Sequence, residues 1–280
     1  MAAASAIASL LAAWLAGVPI YAPESNESVL QQITRQSYAC SEAKVVPPKA
    51  RLDRFQSITG KLLYLTNARP DIALAVGMCT RCMSCPDDNM MLNCERIAMY
   101  CAQTASLGLH YRPGMAPEIN CEWAPTRGPS FDGGSDADWS VNRSTSGYCF
   151  LMGGAVVSYG SKKQNSIALS SSQAEIQSGS LASCEALFLR MLMTELGFPP
   201  KGPTIVRMDN SGAIAISESI TVDWGKMKHV SRKHLHIREL VQKGLVKVKY
   251  VSTKNNVADI FTKPLERRRF QLLRCALLGA

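Results

Sequence analysis

Four acidic residues between positions 136 and 259 lie where short apolar or Gly/Ser-rich runs end. They are Asp136 in GSDADW, Glu175 in SSSQAEI, Asp209 in VRMDNSG and Asp259 in NNVADIF. Carboxylate oxygens are the ligands that hard divalent cations take, and clustered carboxylates repel one another unless cations lie between them. Two Mg²⁺ ions about 4 Å apart can activate water and stabilise the leaving oxygen of a phosphodiester. We interpret the four residues as one metal-binding cluster.

Each of these carboxylates also has a purely structural interpretation. Asp136 could be a turn residue, and Asp138 competes with it because both would share one strand face. Glu175 could close a capping box with Ser172 at the start of a helix. Asp209 could be the N-cap of the helix that follows it. Asp259 could be a surface residue of a helix. Only the convergence of all four side chains in space would separate the metal interpretation from these alternatives.

The elements that must bring the acids together are predicted from residue 131 onwards. Short β-prone runs lie on both sides of a Gly153-Gly154 hairpin turn signal. A long helix from about 173 to 196 ends at Gly197, and strands and helices alternate after it. The later strands are expected at 204–208 and 246–251, and the later helices at 210–217, 230–242, 257–261 and 270–278. A hairpin meander joined to parallel crossovers implies an α/β fold, with a mixed sheet and helices on its faces.

Burial is expected for two residues in and beside the acidic set. Trp139 lies on the strand face opposite Asp136, so its side chain is expected in the core. Asp259 stands between Ala258 and Ile260, and a buried carboxylate needs a partner or a metal ion.

A smaller region before this domain is predicted to be mainly helical. Apolar residues recur at helical spacing between 51 and 104, and the Gly/Pro-rich residues 113–130 form a linker. Cys79, Cys82 and Cys85 could hold zinc or an iron–sulfur cluster. They lie in an apolar helical run instead, so we interpret them as buried free thiols. Ten cysteines without a disulfide framework indicate the cytosol or the nucleus.

The first 22 residues carry no charged side chain. Such a run could span a bilayer or act as a signal peptide. No basic residue precedes it, and about half of it is Ala, Gly or Ser. We therefore predict residues 1–50 to be a poorly ordered N-terminus and linker, with membrane attachment or secretion as the alternative.

The net charge of +9 is concentrated at the C-terminal end of the chain. Residues 226–280 contain 14 basic and 3 acidic side chains, whereas residues 131–225 contain 6 basic and 9 acidic ones. An acidic site beside a basic face is what a metal-dependent enzyme acting on a polyanion would present. A solvated basic surface is the alternative.

Several longer motifs carry a resemblance to one family. RSTSGYCFLMGG (143–154), SKKQNSIALSSSQAEI (161–176), MDNSGAIAI (208–216), KHVSRKHLHIRELV (228–241) and NNVADIFTKPL (255–265) resemble the ribonuclease H domain of copia-type LTR-retrotransposon Pol polyproteins. Residues 54–86 resemble the thumb or connection segment that follows the reverse-transcriptase palm. No Tyr-x-Asp-Asp polymerase motif is present. The missing polymerase domain is thus a candidate partner.

The resemblance implies a ribonuclease-H-like fold, with a mixed five-stranded sheet in residues 131–265 and a basic helix in 266–280. It implies a thumb-like helical remnant in residues 51–112. The four acids would be catalytic metal ligands for two Mg²⁺ ions, for which Mn²⁺ could substitute, and no organic cofactor is implied. The expected reaction is cleavage of RNA in RNA–DNA hybrids. The alternative is an inactive nucleic-acid-binding remnant of the same fold.

Hybrid contacts are expected from polar and basic residues near the acids and on the basic helix. The arginine run 267–269 is a further candidate. The residues expected to bind the hybrid are Lys162, Lys163, Asn210, Lys228, His229, Arg232, Lys233 and Arg238.

Overall fold

The computed structural model of the protein describes residues 47–112, 131–139, 143–219 and 235–279. The chain divides into two compact units. One ends at Gly108 and also takes in Pro264–Glu266, and the other comprises Leu109–Lys263 and Arg267–Ala280. Within the described ranges, every helix is too short or too polar to cross a membrane.

The first unit is helical, as the sequence predicts. Its helices are α1 (Lys49–Leu65), α2 (Ala73–Thr80), which follows a 3₁₀ turn at Pro70–Ile72, and α3 (Asp88–Gln103). The Asp87 side chain caps α3 by accepting from the Met90 amide at 2.7 Å. The core contains apolar side chains from all three helices together with four buried free cysteines, namely Cys79, Cys82, Cys94 and Cys101.

The second unit contains a five-stranded sheet flanked by helices. Its strands are β1 (Asp132–Asp138), β2 (Thr145–Met152), β3 (Ala155–Lys163), β4 (Thr204–Met208) and β5 (Val246–Tyr250). Its helices are α4 (Ser171–Glu195), α5 (Ser211–Glu218), α6 (His236–Gln242) and α7 (Arg267–Leu278). Two 3₁₀ turns, Thr253–Asn255 and Val257–Phe261, lie between β5 and α7.

The strand order is β3-β2-β1-β4-β5. The first three strands pair antiparallel, whereas β4 is parallel to both β1 and β5. The predicted mixed five-stranded sheet with flanking helices is therefore confirmed. The carboxyl ends of β1, β4 and β5 meet at one edge of the sheet, which is where α/β proteins place ligand-binding groups.

Local sequence explains the main features of this arrangement. Gly153 and Gly154 have φ values of +61° and +88°, which a two-residue hairpin turn needs and which glycine adopts without steric cost. Gly133 on β1 leaves space for the ring of Phe150, because a Cβ on residue 133 would lie 2.2 Å from Cε1 of that ring. The core between α4 and the sheet is built around Phe150, Ala182, Ala186 and Val206.

Three parts of the sequence prediction differ from the structure or lie outside it. Trp139 was expected in the core, but its side chain is largely exposed. The run 257–261 forms a 3₁₀ turn and not an α-helix. The predicted helix at 230–242 is described only from residue 235, and α6 begins at His236.

Candidate metal centre

Three aspartates from separate elements meet at the carboxyl edge of the sheet. Asp136, Asp209 and Asp259 each offer a carboxylate oxygen, and these oxygens all lie within 4.8 Å of one another. Asp136 belongs to β1, Asp209 directly follows β4, and Asp259 lies in the 3₁₀ turn Val257–Phe261. Asp138, the alternative to Asp136, is not part of this group. The parallel pairing of β1 with β4 brings the first two acids together.

Glu175 borders the three aspartates from the start of α4. Its Oε1 accepts a hydrogen bond from the Ala137 amide at 3.1 Å, so its carboxylate is turned towards β1. Its Oε2 is buried and has no hydrogen-bond partner among the described residues. Burial, and then the charges of Asp136 and Asp209, raise the pKa of Glu175 to about 9. Such an unsatisfied buried oxygen is one that a cation would satisfy.

The capping alternatives for Glu175 and Asp209 do not hold. The N-cap of α4 is Ser170, whose side chain accepts from the Gln173 amide, while Gln173 Oε1 accepts from the Leu169 amide at 2.8 Å. The N-cap of α5 is Asn210, which accepts from the Ala213 amide at 2.9 Å. Neither Glu175 nor Asp209 therefore caps a helix. Burial, and then the charge of Asp136, raise the pKa of Asp209.

Asp259 is fully buried, and hydrogen bonds fix its turn against β1. Asn256 Nδ2 donates to the Ser135 carbonyl at 3.0 Å. Thr262 Oγ1 contacts the Asp136 carboxylate and the Asp259 carbonyl. These contacts hold the fourth acid against the first.

Two basic side chains contact Asp259, and sequence reasoning did not assign either of them to this site. Lys263 Nζ lies 3.0 Å from Asp259 Oδ1 and 3.6 Å from Asp136 Oδ2. Arg269, expected to contact the hybrid, forms an ion pair with Asp259 Oδ2 and donates to the Thr253 carbonyl. Burial and then Asp136 raise the pKa of Asp259 to about 8, and the two cations act in the opposite direction.

The expected hybrid-binding residues fall into three groups. Lys162 and Lys163 are exposed at the end of β3, and Asn210 is the cap of α5. Arg238 is buried, and its guanidinium donates to the Ser219 carbonyl at 2.6 and 3.2 Å. Its guanidinium is therefore held within the protein. The expectations for Lys228, His229, Arg232 and Lys233 lie outside the described residues.

The acidic set fits a divalent cation by its chemistry. Its donors are carboxylate oxygens, which Mg²⁺ and Mn²⁺ accept. One of them, Glu175 Oε2, is buried without a hydrogen-bond partner in the described part of the chain. The triad of buried Asp136, half-buried Asp209 and buried Asp259 could therefore hold a metal ion, with Glu175 at its border.

Comparison with known proteins gives the family. The chain is 34% identical over 221 residues to the retrovirus-related Pol polyprotein from transposon RE1 of Arabidopsis thaliana, a match that covers 78% of this chain and 14% of that protein. The corresponding polyprotein from transposon RE2 of the same plant is 33% identical over the same share of the chain. This chain belongs to the Pol polyprotein family of copia-type retrotransposons. It spans about a seventh of the length of these two Pol polyproteins.

A similarity to a protein of another kind covers less of the Pol-related chain. The secreted RxLR effector protein 161 of Plasmopara viticola is 36% identical over 141 residues, which are 48% of this chain and 90% of that protein. No protein-family model matches the chain.

Solved structures of ribonucleases H are also similar to the Pol-related chain. LC11 RNase H1, isolated from compost, is 17% identical with a TM-score of 0.37, over 48% of this chain and 93% of that one. The same enzyme in complex with an RNA/DNA hybrid is 14% identical with a TM-score of 0.35, over 48% and 94% of the two chains.

Proposed function

We propose that this chain is a metal-dependent ribonuclease H that cleaves the RNA strand of RNA–DNA hybrids. The observation that carries the proposal is the convergence of four acids from separate elements at one sheet edge, in a member of a retrotransposon Pol family. Two Mg²⁺ ions held there, or Mn²⁺ in their place, would activate water and stabilise the leaving oxygen of the phosphodiester. In the reaction, water adds to phosphorus and gives up a proton, while the bond from phosphorus to the leaving ribose oxygen breaks. The leaving oxygen takes up a proton, so one RNA fragment ends in a hydroxyl and the other in a phosphate.

Asp136 is the proposed central ligand of the site. Its charge acts on Glu175, Asp209 and Asp259, and it also attracts Lys263. Glu175, Asp209 and Asp259 are the proposed remaining ligands. Each comes from a different element, so the whole domain must be folded before the four oxygens can hold metal.

The test uses a labelled RNA–DNA hybrid incubated with the full chain in Mg²⁺ and in EDTA. The wild-type protein is expected to cut the RNA strand only in Mg²⁺, and Asp209→Asn is expected to abolish cutting while leaving the fold intact. Asp53→Asn is the matched control, because Asp53 is exposed on α1 in the other unit. Undiminished cutting by Asp209→Asn would refute the assignment of the acids.

A second candidate is a hybrid-binding protein that does not cleave. It is favoured by one observation, namely that Lys263 and Arg269 already provide positive charge at Asp259. If these ion pairs persist, the oxygens of Asp259 are less available to bind a metal ion. Binding of the hybrid without Mg²⁺-dependent cutting in the same assay would select this candidate.

The domain limits and partners belong to the same proposal. Residues 131–265 would be the nuclease domain, followed by the basic helix of 266–280. Residues 51–112 would be a remnant of the thumb or connection segment, and the polymerase domain of the Pol polyprotein its partner. The described cysteines are free thiols, which supports a reducing compartment such as the cytosol or the nucleus.

A further inference from the structure

Trp139 is an exposed aromatic residue three positions after Asp136. Its side chain is 55% exposed, although its Nε1 donates to the Ala168 carbonyl at 3.1 Å. The neighbours of Ala168 in the chain are Ile167 and Leu169, which are 56% and 62% exposed. We call these three exposed side chains, Trp139, Ile167 and Leu169, the Trp139 platform. More than half of Trp139 is thus exposed even though its indole N–H is hydrogen-bonded.

One small buried cluster contains chain neighbours both of the Trp139 platform and of two of the acids. Ala137, Ala168 and Ala174 are buried together. Ala137 directly follows Asp136, and Ala174 directly precedes Glu175. The Ala137 amide also donates to Glu175 Oε1. The position of the Trp139 platform relative to the acids is therefore set by buried packing and by hydrogen bonds.

Positive charge lies at the same edge of the sheet. Asp138, the last residue of β1, pairs with Thr145, and Thr145 pairs with Lys163 at the end of β3. Lys163 is thus two strands away from the end of β1, a separation of about 10 Å. Lys162 and Lys163 are both exposed. An aromatic ring beside lysines and a candidate metal centre matches a nucleic acid, whose sugars are apolar on one face and whose phosphates are anionic.

We infer that the Trp139 platform is a substrate contact, on which sugar rings of the hybrid pack next to the scissile phosphate. In a base-paired hybrid the bases already stack on one another, so the sugars exposed in the shallow groove are the surface that a ring can reach. Lys162 and Lys163 contact phosphates along the same strand. This inference rests on the proposed function, because it takes the hybrid as the ligand.

The test measures hybrid binding separately from cutting. Fluorescence anisotropy of a labelled RNA–DNA hybrid is recorded in Mg²⁺ with Asp209→Asn as the parent protein, which keeps the hybrid intact. Adding Trp139→Ala is expected to raise Kd about tenfold, which is near the lower end of the loss for an aromatic ring that stacks on a base. Trp139→Phe is expected to keep most of the affinity. The slope of log Kd against log salt should not change, because the contact is apolar.

The matched control is Phe188→Ala in the same parent. Phe188 is 56% exposed and lies on α4, about 20 Å from Glu175 at a rise of about 1.5 Å per residue. Its removal should leave Kd unchanged, and both variants should stay folded at the assay temperature, which circular dichroism checks. A Kd for Trp139→Ala within twofold of the parent overturns the inference. If the parent binds as expected but the wild-type protein never cuts, the proposed nuclease fails while the substrate contact stands.

Discussion

Lys263 Nζ lies 3.0 Å from Asp259 Oδ1 and reaches Asp136 Oδ2 at 3.6 Å. The chain therefore places one of its own ammonium groups between two of the proposed metal ligands. Without metal, this charge reduces the repulsion among the carboxylates. A divalent cation that enters the site must compete with it.

Replacing Lys263 by Met tests this competition. The metal-free variant should lose about 1–3 kcal/mol of unfolding free energy, because buried carboxylates lose a charged partner. Mn²⁺ should bind the variant several-fold more tightly, since the ion no longer displaces an ammonium group. Urea unfolding in EDTA and calorimetric titration with Mn²⁺ measure the two effects. Lys254→Met is the control at an exposed lysine, and weaker Mn²⁺ binding by Lys263→Met would show that the ammonium assists the metal.

The stability of the metal-free protein should depend on pH through Glu175. Its pKa is raised from 4.5 to about 9 in the folded protein, so between these values the folded state holds a proton that the unfolded chain has lost. The contribution is fully present below the unfolded pKa and is lost as pH rises towards the folded one. The unfolding free energy should fall by at most about 1.4 kcal/mol per pH unit for this group.

Urea unfolding in EDTA at several pH values measures this slope. Glu175→Gln should flatten it, whereas Glu218→Gln, at an exposed position on α5, should not. Mg²⁺ binds the deprotonated carboxylate and should therefore reduce the loss at high pH. A slope that Glu175→Gln leaves unaltered would assign the effect to another group.

Capping of α4 should matter for the site as well as for stability. Ser170→Ala removes the acceptor for the Gln173 amide and should cost about 1 kcal/mol of unfolding free energy. Since Glu175 lies within the first turns of the same helix, affinity for Mn²⁺ should fall too. Ser171→Ala, one residue further on and exposed, is the comparison. Equal effects of the two substitutions would mean that the cap has no special role.

Gly147 on β2 makes room for the turn that carries Asp259. A Cβ at this position would lie 2.5 Å from Thr262 Cγ2 and 2.9 Å from Phe261 Cβ. Gly147→Ala should therefore displace the turn, destabilise the protein by about 1–3 kcal/mol and weaken Mn²⁺ binding. Gly60→Ala on α1, where nothing lies within 4 Å of the added Cβ, should do neither. Unchanged metal binding by Gly147→Ala would show that Asp259 does not need this packing.

The sequence was sufficient to predict the strands, the long helix and the acids at strand ends. Strand β4 was predicted with its observed limits because a short apolar run ends directly at Asp209. The capping box considered as the alternative for Glu175 begins two residues after the observed cap, Ser170, for a local reason. Ser170, Ser171 and Ser172 are consecutive, and both Ser170 with Gln173 and Ser172 with Glu175 satisfy the capping pattern. Only tertiary contact with β1 decides between the two.

The basic residues around Asp259 could not be assigned from the sequence alone. Lys263 follows Asp259 at a spacing of four, a weak sign of contact, and Arg269 meets the acid only after α7 has packed. Trp139 was misplaced because β1 ends at Asp138. Beyond that point strand alternation no longer determines which way a side chain points.

The turn that carries Asp259 completes the acidic site, although it lies far from Asp136 in the sequence. Asn256 meets Ser135 across 121 residues of sequence, and Thr262 meets Asp136 across 126. During translation, all five strands are synthesised before this turn. A chain terminated after β5 would contain a complete set of sheet strands but lack the last acid and its supports. The proposed nuclease would thus become active only after this turn has been synthesised, and products that end before it would be inactive.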